Sequence, residues 1–161
     1  MFGTLSEVAE VMVPASKAWA LYGTLEIAKL VSENIFENVQ VIEGDGGTGT
    51  ILKVTLKQNA SGSNSKTFME KFIMVDDENK VKVVEIVEGA YLDIGFTLYR
   101  VKIEIKENPK EDNKMTCSSC LVKITIEYKI KDEFAANASL VDTKRIVNIL
   151  TLANEHLLKS N

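Results

Sequence analysis

The chain has 161 residues, of which 45% are hydrophobic and 26% charged, and its formal net charge is −4. This composition is typical of a soluble globular protein, and we expect one domain over residues 1–161. The acidic balance and the lack of a basic tract argue against a nucleic-acid partner, and no apolar run is long enough to cross a membrane. The first residues show no signal-peptide pattern, so we expect a cytoplasmic protein.

The N-terminal part of the chain predicts one strand and two short helices. Alternating apolar residues indicate a strand near 4–13. The stretch PASKAWALYGT predicts a helix that begins after Pro14, with Ser16 as its cap. The stretch LEIAKLVSE continues as a second short helix.

A glycine-rich stretch, VIEGDGGTGTIL at residues 41–52, contains the spacing G-x-G-x-x-G at Gly44, Gly46 and Gly49. A dinucleotide site needs a helix directly after the glycines, because the helix N-terminus holds the pyrophosphate. Here TILKVTLKQ follows, which reads as a strand. A kinase loop does lie between strands, but the chain is too short for a kinase and has neither H-R-D nor D-F-G. We therefore predict that residues 44–49 form a strand–strand turn and bind no nucleotide.

Further strands follow with a clear two-residue period. GTILKVTLKQ, FMEKFIMV and KVKVVEIVEG are strands, the last two joined at DDEN, and another lies near 91–105. VKIEIK and VKITIEYKI alternate between apolar and polar residues, as half-buried antiparallel strands do. Their apolar faces hold Val101, Ile103, Ile105, Val122, Ile124, Ile126, Tyr128 and Ile130. Polar loops are expected at 58–66 and 106–114.

Two cysteines, Cys117 and Cys120, form a C-x-x-C pattern ahead of the last strand. One such pair cannot complete a four-ligand zinc site, and His156 is the only histidine. An offset of three along a strand also puts the thiols on opposite faces. We predict no disulfide and no metal.

The C-terminal stretch 133–159 is amphipathic and predicts one long helix. Its apolar residues at helical spacing are Leu140, Val141, Ile146, Val147, Leu150, Ala153 and Leu157. His156 is expected on the surface near its end. About seven strands and these helices indicate an α+β fold in which a curved antiparallel sheet grips the terminal helix.

One carboxylate falls on an apolar strand face. In FMEKF, the two-residue period places Phe68, Glu70 and Phe72 together. Desolvation between aromatic rings would raise the pKa of Glu70 toward the range useful for proton transfer.

One lysine does the same. In KVKVVEI, Lys82 shares a face with Val84 and Ile86, where a lysine is costly unless it has a partner or a task. The opposite register is equally compatible with the pattern of both strands, and it would expose Glu70 and Lys82. It would bury Met69, Ile73, Val81 and Val83 instead.

The stretch VQVIEGDGGTGTIL resembles the glycine-rich loop of the plant pathogenesis-related class 10 family, which has the Bet v 1-like (START-like) fold. The order of predicted elements is that family's order over essentially the whole chain. The resemblance implies a seven-stranded curved antiparallel sheet with two short helices, wrapped around a long C-terminal helix and enclosing an apolar cavity.

Within that family, EKFIMVDDENKVKVVEIVEGAYLDIGFTLYRV is most similar to the norcoclaurine and norbelladine synthases. The resemblance implies condensation of a phenethylamine, dopamine or tyramine, with an aromatic aldehyde through an iminium, without a cofactor. Lys82 falls on the catalytic lysine that dehydrates the carbinolamine. Glu70 falls on the glutamate that takes a proton during ring closure. The alternative within the family is a non-catalytic protein that holds hydrophobic ligands such as phytohormones or flavonoids.

Two positions depart from the synthase pattern. Phe68 stands where the family has a tyrosine, and Val101 where norcoclaurine synthase has an aspartate. Tyr99 is expected to line the cavity or restore a hydroxyl there, and Tyr91 either points its hydroxyl to the cavity mouth or packs at a strand end. The implied substrate-binding residues are Phe68, Phe72, Val84, Tyr91, Tyr99 and Val101.

The proposed pair also sets a condition on the hairpin. Directly opposed residues of antiparallel strands share a face. Glu70 and Lys82 both face inward only if the numbers of opposed residues add to an even number. That requires an odd-length loop, such as Asp77–Asn79, or a bulge in one strand.

Overall fold

Seven antiparallel strands form one sheet in the order β1-β7-β6-β5-β4-β3-β2. The computed structural model describes residues 1–57, 66–109 and 119–159. The strands are β1 (Phe2–Val11), β2 (Asn38–Glu43), β3 (Ile51–Thr55), β4 (Thr67–Asp76), β5 (Val81–Gly89), β6 (Phe96–Glu107) and β7 (Cys120–Ile130). The helices are α1 (Ala15–Tyr22), α2 (Glu26–Asn34) and α3 (Lys144–Lys159), with 3₁₀ helices at Ala90–Ile94 and Asp132–Leu140. The predicted α+β architecture is confirmed.

Alternation along the strands decides which face of the sheet is buried. The apolar face predicted for β7 is confirmed, because Val122, Ile124 and Ile126 are all buried while Lys123 is exposed. The helices cover this face. Helix α3 turns Ile146, Leu150, Ala153 and Leu157 onto the sheet, at the spacing of one helical stripe.

The glycine-rich stretch is a turn between β2 and β3, as predicted. Gly44, Gly46 and Gly49 have φ angles of 96°, 104° and 94°, a left-handed region that side chains with a Cβ rarely adopt. β3 begins at Ile51, directly after the turn, so no helix follows the glycines.

The C-terminal helix differs from the prediction. A 3₁₀ helix ends at Leu140, Val141 is extended with φ −82° and ψ 117°, and only then does α3 begin. The side chain of Asp142 accepts a hydrogen bond from the Lys144 nitrogen at 3.0 Å, a local turn that competes with the helix. Val141 is buried through this break, whereas Leu140 and Val147 are exposed.

Helix α1 forms where predicted, but Ser16 does not cap it. The residue before its first turn is Pro14, and no side chain caps the helix. The main-chain oxygen of Pro14 instead accepts the nitrogens of Lys17 and Ala18 at 3.0 and 3.2 Å. Pro14 has a φ of −61° and an extended ψ of 152°, the non-helical backbone of a residue just before a helix, and its ring fixes that φ.

Other predictions meet the described residues only in part. Cys120 is buried at the start of β7, while Cys117 lies outside the described residues, so the prediction for the pair stays a prediction. The expected polar loops also lie largely outside them. His156 is exposed on α3, as expected. Across the described ranges, no helix is long and apolar enough to cross a membrane, and no cluster of metal-ligating side chains occurs.

The internal cavity expected between the sheet and α3 stays a prediction. Clefts of about 490 and 390 Å³ open on the described chain, one lined in part by Phe68, Met69 and Glu88, the other between the end of α2 and α3. Between the sheet and α3, apolar side chains that were expected to line a cavity belong to one packed cluster. Burial of these apolar side chains against one another stabilises the packing of α3 on the sheet.

Candidate active site

Two inward-facing strands, β4 and β5, bring Glu70 and Lys82 to the same side of the sheet. Near the turn, Asp76 is paired with Val81 and Val75 with Lys82, so four residues form the loop. If this register continued along β4, Glu70 would point to the outer face of the sheet. Further along, the pairs become Phe72–Val84 and Glu70–Ile86, because Ile73 is an extra residue in β4. The bulge shifts the register by one.

The bulge meets the condition set by the sequence. With the bulge, Glu70 is opposed to Ile86, and the two residue numbers add to an even number. The side chain of Glu70 therefore lies on the face that carries Lys82, Val84 and Ile86. Without it, Glu70 would stand opposite Val87, whose side chain is exposed. The proposed inward register of both strands is confirmed.

Lys82 is an ammonium held in the apolar core. Its side chain is 1% exposed. Its Nζ donates a hydrogen bond to the main-chain oxygen of Tyr22 at 3.1 Å and lies 4.0 Å from the centroid of the Phe72 ring. Tyr22 is the last residue of α1, where carbonyls lack helical partners and the helix dipole favours a cation. Burial lowers the pKa of Lys82 from 10.5 to about 8, although the charge of Glu70 opposes the shift.

Glu70 is partly exposed and titrates near neutral pH. Burial raises the pKa of its carboxyl from 4.5 to about 7, while the charges of Lys82 and Arg145 act against that rise. Within the described chain, no ion pair joins Glu70 to Lys82. The two groups therefore influence each other electrostatically without neutralising each other by direct contact.

A second set of side chains closes the site on the α3 side. The guanidinium of Arg145, in the first turn of α3, lies 5.4 Å from the centroid of Phe36. Phe36 in turn packs edge-on against Phe68, with ring centroids 6.4 Å apart. This line of contacts joins α3 to β4 two residues before Glu70.

Sequence reasoning missed Phe36, Arg145 and the carbonyl of Tyr22. Phe36 lies between α2 and β2, and Arg145 stands in a polar stretch of the C-terminal amphipathic segment. Neither position has a local pattern that distinguishes it from any other aromatic or surface cation. Only the fold brings them beside Phe68 and Glu70.

The aromatic residues expected near the site lie together. Tyr91, on the 3₁₀ helix between β5 and β6, stacks on Tyr99 with ring centroids 4.3 Å apart and planes 8° apart. Tyr99 is buried on the inward face of β6, and burial raises the pKa of its hydroxyl. Val101, two residues further, stands opposite Val84. The stacked arrangement favours the packing interpretation for Tyr91.

This arrangement is suited to proton transfer near neutral pH. A cation whose pKa is lowered and a carboxyl whose pKa is raised exchange protons far more readily than their unperturbed forms would. Both face a surface of Phe68, Phe72 and Val84, which excludes water and offers ring contacts. An aromatic substrate is the natural partner of such a surface.

Comparison with known proteins places these residues in a context. Residues 3–160 match the pathogenesis-related protein Bet v 1 family. The chain is 39% identical to norbelladine synthase from Narcissus pseudonarcissus, over 100% of this chain and 96% of that protein. It is 31% identical to S-norcoclaurine synthase 2 from Papaver somniferum over 93% of this chain, which spans 63% of the length of that enzyme.

Solved structures agree with the sequence relatives. The norcoclaurine synthase of Thalictrum flavum in complex with dopamine and hydroxybenzaldehyde aligns with a TM-score of 0.83 and 30% identity, covering 100% of this chain and 89% of that one. A point mutant of the same enzyme in complex with a transition-state analogue aligns with a TM-score of 0.84 and 31% identity, covering 99% of this chain and 96% of that one.

Proposed function

Since the chain belongs to the pathogenesis-related protein Bet v 1 family, we propose that it is an amine–aldehyde condensing enzyme of the norbelladine and norcoclaurine synthase type. The observation that carries the proposal is the buried ammonium of Lys82 on the same face as the carboxyl of Glu70. A protein that only held an apolar ligand would gain nothing from a lysine that is costly to bury.

The substrates follow from the relatives and from the surface of the site. Norbelladine synthase and norcoclaurine synthase are the relatives, and the latter has been solved with dopamine and hydroxybenzaldehyde. We propose that this chain takes a phenethylamine such as dopamine or tyramine together with an aromatic aldehyde. The residues proposed to line the bound substrates are Phe68, Phe72, Val84, Tyr91, Tyr99 and Val101.

Condensation needs one proton donor. The amine nitrogen attacks the carbonyl carbon, a C–N bond forms, and a proton moves from nitrogen to oxygen to give the carbinolamine. Lys82 then donates a proton to the carbinolamine hydroxyl, the C–O bond breaks, and water leaves behind an iminium. With a pKa of about 8, Lys82 is mostly protonated at neutral pH yet gives up its proton readily.

Ring closure needs a base. An aromatic carbon of the amine attacks the iminium carbon, and the C–H proton at that ring position must leave to restore aromaticity. Glu70, with a pKa of about 7, is available as a carboxylate to take it. Amine and aldehyde give product and water, so the balance requires no oxidant or reductant.

The site favours condensation over ring closure. The synthase pattern has polar groups where this chain has Phe68 and Val101, and both side chains face the interior here. Their absence removes hydrogen-bonding groups from the developing ring-closed product. Dehydration by Lys82 does not depend on them, so we propose an open imine as the main product and slow ring closure.

The experiment compares three proteins with dopamine or tyramine and a set of aromatic aldehydes. Products are trapped with a mild hydride reagent and identified by mass spectrometry, with the uncatalysed rate subtracted. Wild type should form the imine, and Lys82→Met should reduce the rate by roughly a hundredfold or more, as expected for loss of a general acid. Lys71→Met is the matched control, because Lys71 is an exposed lysine of the neighbouring strand.

The alternative function, a non-catalytic carrier of hydrophobic ligands, makes the opposite prediction. If Lys82→Met forms product at the rate of wild type, the amine has no catalytic role. Tight binding of flavonoids or phytohormones without turnover would then identify the chain as a carrier.

A further inference from the structure

The glycine-rich turn is hydrogen-bonded to β4 just before β3 begins. The pairing of β3 with β4 reaches only as far as Ile51 opposite Lys71. Beyond it, the turn takes the place of a strand. The nitrogen of Gly49 donates to the oxygen of Phe72 at 2.8 Å, and the nitrogen of Phe72 donates to the oxygen of Thr50 at 2.8 Å.

A third bond spans the bulge. The main-chain nitrogen of Val75 donates to Oγ1 of Thr48 at 2.9 Å. In a regular strand, the N–H groups of alternate residues point to the same side, so the next N–H group after that of Phe72 to face the turn would be that of Met74. The N–H group of Val75 faces the turn instead, because Ile73 is the extra residue of the bulge. The Thr48 hydroxyl therefore accepts an N–H group that reaches this side only in the bulged register.

Val75 is also the residue that stands directly opposite Lys82. We propose that Thr48 is a positioning residue for Lys82, its hydroxyl holding β4 in the register that turns Glu70 and Lys82 to the same face. The expected effect of Thr48 on kcat rests on the proposed function, whereas its effect on the register of β4 does not. Loss of the bulged register would place Glu70 opposite Val87 and separate the pair across the sheet.

The glycines permit the left-handed backbone of the turn, and a hydrogen bond across its base holds it in place. The nitrogen of Gly46 donates to Oγ1 of Thr50 at 2.9 Å, which ties the turn across its own base. A Cβ at Gly46 would lie 3.1 Å from Cγ of Leu25, at a φ of 104°. The spaced glycines thus allow a tight turn that directs the Thr48 hydroxyl toward β4.

Three variants test the proposal. Thr48→Val keeps the shape of the side chain and removes the acceptor, and Thr48→Ser keeps the acceptor. Thr55→Val is the control, because Thr55 lies on β3 of the same sheet and its hydroxyl makes no hydrogen bond within the described residues. The measurements are the pKa of Lys82 by NMR titration, the amide exchange rate of Val75, and kcat and KM for the condensation.

Thr48→Val should raise the pKa of Lys82 toward its ordinary value, because a looser strand admits water to the amine, and should speed exchange at Val75. It should lower kcat roughly tenfold while KM changes less than about twofold, since the lost bond affects orientation and not substrate contact. Thr48→Ser should restore all three values, and Thr55→Val should match wild type.

A Thr48→Val protein that is less stable but keeps the Lys82 pKa and the Val75 exchange rate of wild type would overturn the proposal. These two readouts need no turnover, so they remain decisive even if Lys82→Met shows that the proposed function is wrong. Thr48 is exposed, and folding of the variants can be confirmed by circular dichroism. If the valine variant does not fold, Thr48→Ala also removes the hydroxyl and takes its place in the test.

Discussion

The Nζ of Lys82 lies 3.1 Å from the main-chain oxygen of Tyr22, a residue 60 positions earlier in the chain. One N–H group of the ammonium is used by this bond, and the ring face of Phe72 covers another side of the charge at 4.0 Å. An ammonium has three N–H groups, so a proton remains for a substrate. Helix α1 thus fixes the position of the amine without consuming its capacity to donate.

The pH dependence of kcat follows from two pKa values. A base with a pKa of about 7 and an acid with a pKa of about 8 are both in their active forms only between those values. We expect kcat for ring closure to be a narrow bell with its maximum in that interval, measured at saturating substrate after subtraction of the uncatalysed rate. Glu70→Gln should remove the acid limb from the profile of the residual ring closure, whereas imine formation, which uses Lys82, should fall only above about pH 8. A profile that rises steadily through both values would contradict these assignments.

Lys82→Met should make the protein more stable at neutral pH. The pKa of Lys82 is about 8 in the folded state against an ordinary 10.5, so between these values the folded state binds fewer protons than the unfolded state. The cost of the buried charge is fully present below about pH 8 and is lost as pH rises toward 10.5. The shift corresponds to roughly 3 kcal/mol, reduced by about 1 kcal/mol for the lost bond to Tyr22.

Urea denaturation of wild type and Lys82→Met, repeated from about pH 7 to about pH 10, measures this difference. The variant should gain roughly 2 kcal/mol at the lower pH, and the gain should shrink steadily toward the higher pH. Lys71→Met should show no such trend, because Lys71 is exposed. A gain that does not vary with pH would mean that packing, and not desolvation of the charge, causes it.

Glu70→Gln should separate the two halves of the reaction. Glutamine has nearly the same shape but cannot take the ring proton, so ring closure should slow by roughly a hundredfold while imine formation changes little. The ratio of ring-closed to open product, read by mass spectrometry, gives this directly. Glu88→Gln, which alters an exposed carboxylate of β5, should leave the ratio unchanged. Equal loss of both products in Glu70→Gln would assign the carboxylate to binding instead.

Phe68→Tyr should increase ring closure. Phe68 is buried on the inward face of β4, two residues from Glu70, and the added hydroxyl would stand where the synthase pattern has one. We expect the ring-closed fraction to rise several-fold, with Phe68→Leu as the control for changes in packing. If both variants give the same product ratio, the hydroxyl is not what limits cyclisation.

Where periodicity decides, the sequence was sufficient. Val101 and Ile103 face inward on β6 because apolar and polar residues alternate without interruption there. The same rule leaves β4 undecided, since Ile73 interrupts the register and its extra position has no signature in the local pattern. The residue that bonds to the bulged strand from the turn, Thr48, lies 27 positions before Val75, with a hydrogen bond of 2.9 Å between them.

The C-terminal segment shows the converse. Its amphipathic pattern continues through Val141, so periodicity predicts an unbroken helix, yet the side chain of Asp142 forms a local turn and α3 starts afresh. Arg145 owes its place beside Phe36 to that new start. Contacts of this kind depend on tertiary packing, and no spacing rule along the chain encodes them.

The stack joins Tyr91, on the 3₁₀ helix between Gly89 and Gly95, to Tyr99 on β6, and both glycines have left-handed φ angles. Each tyrosine ring covers one face of the other. A planar aromatic ring can form the same face-to-face contact with a tyrosine ring, whereas an aliphatic chain cannot. An aromatic aldehyde of the proposed function would therefore gain a ring contact at this stack that an aliphatic aldehyde lacks.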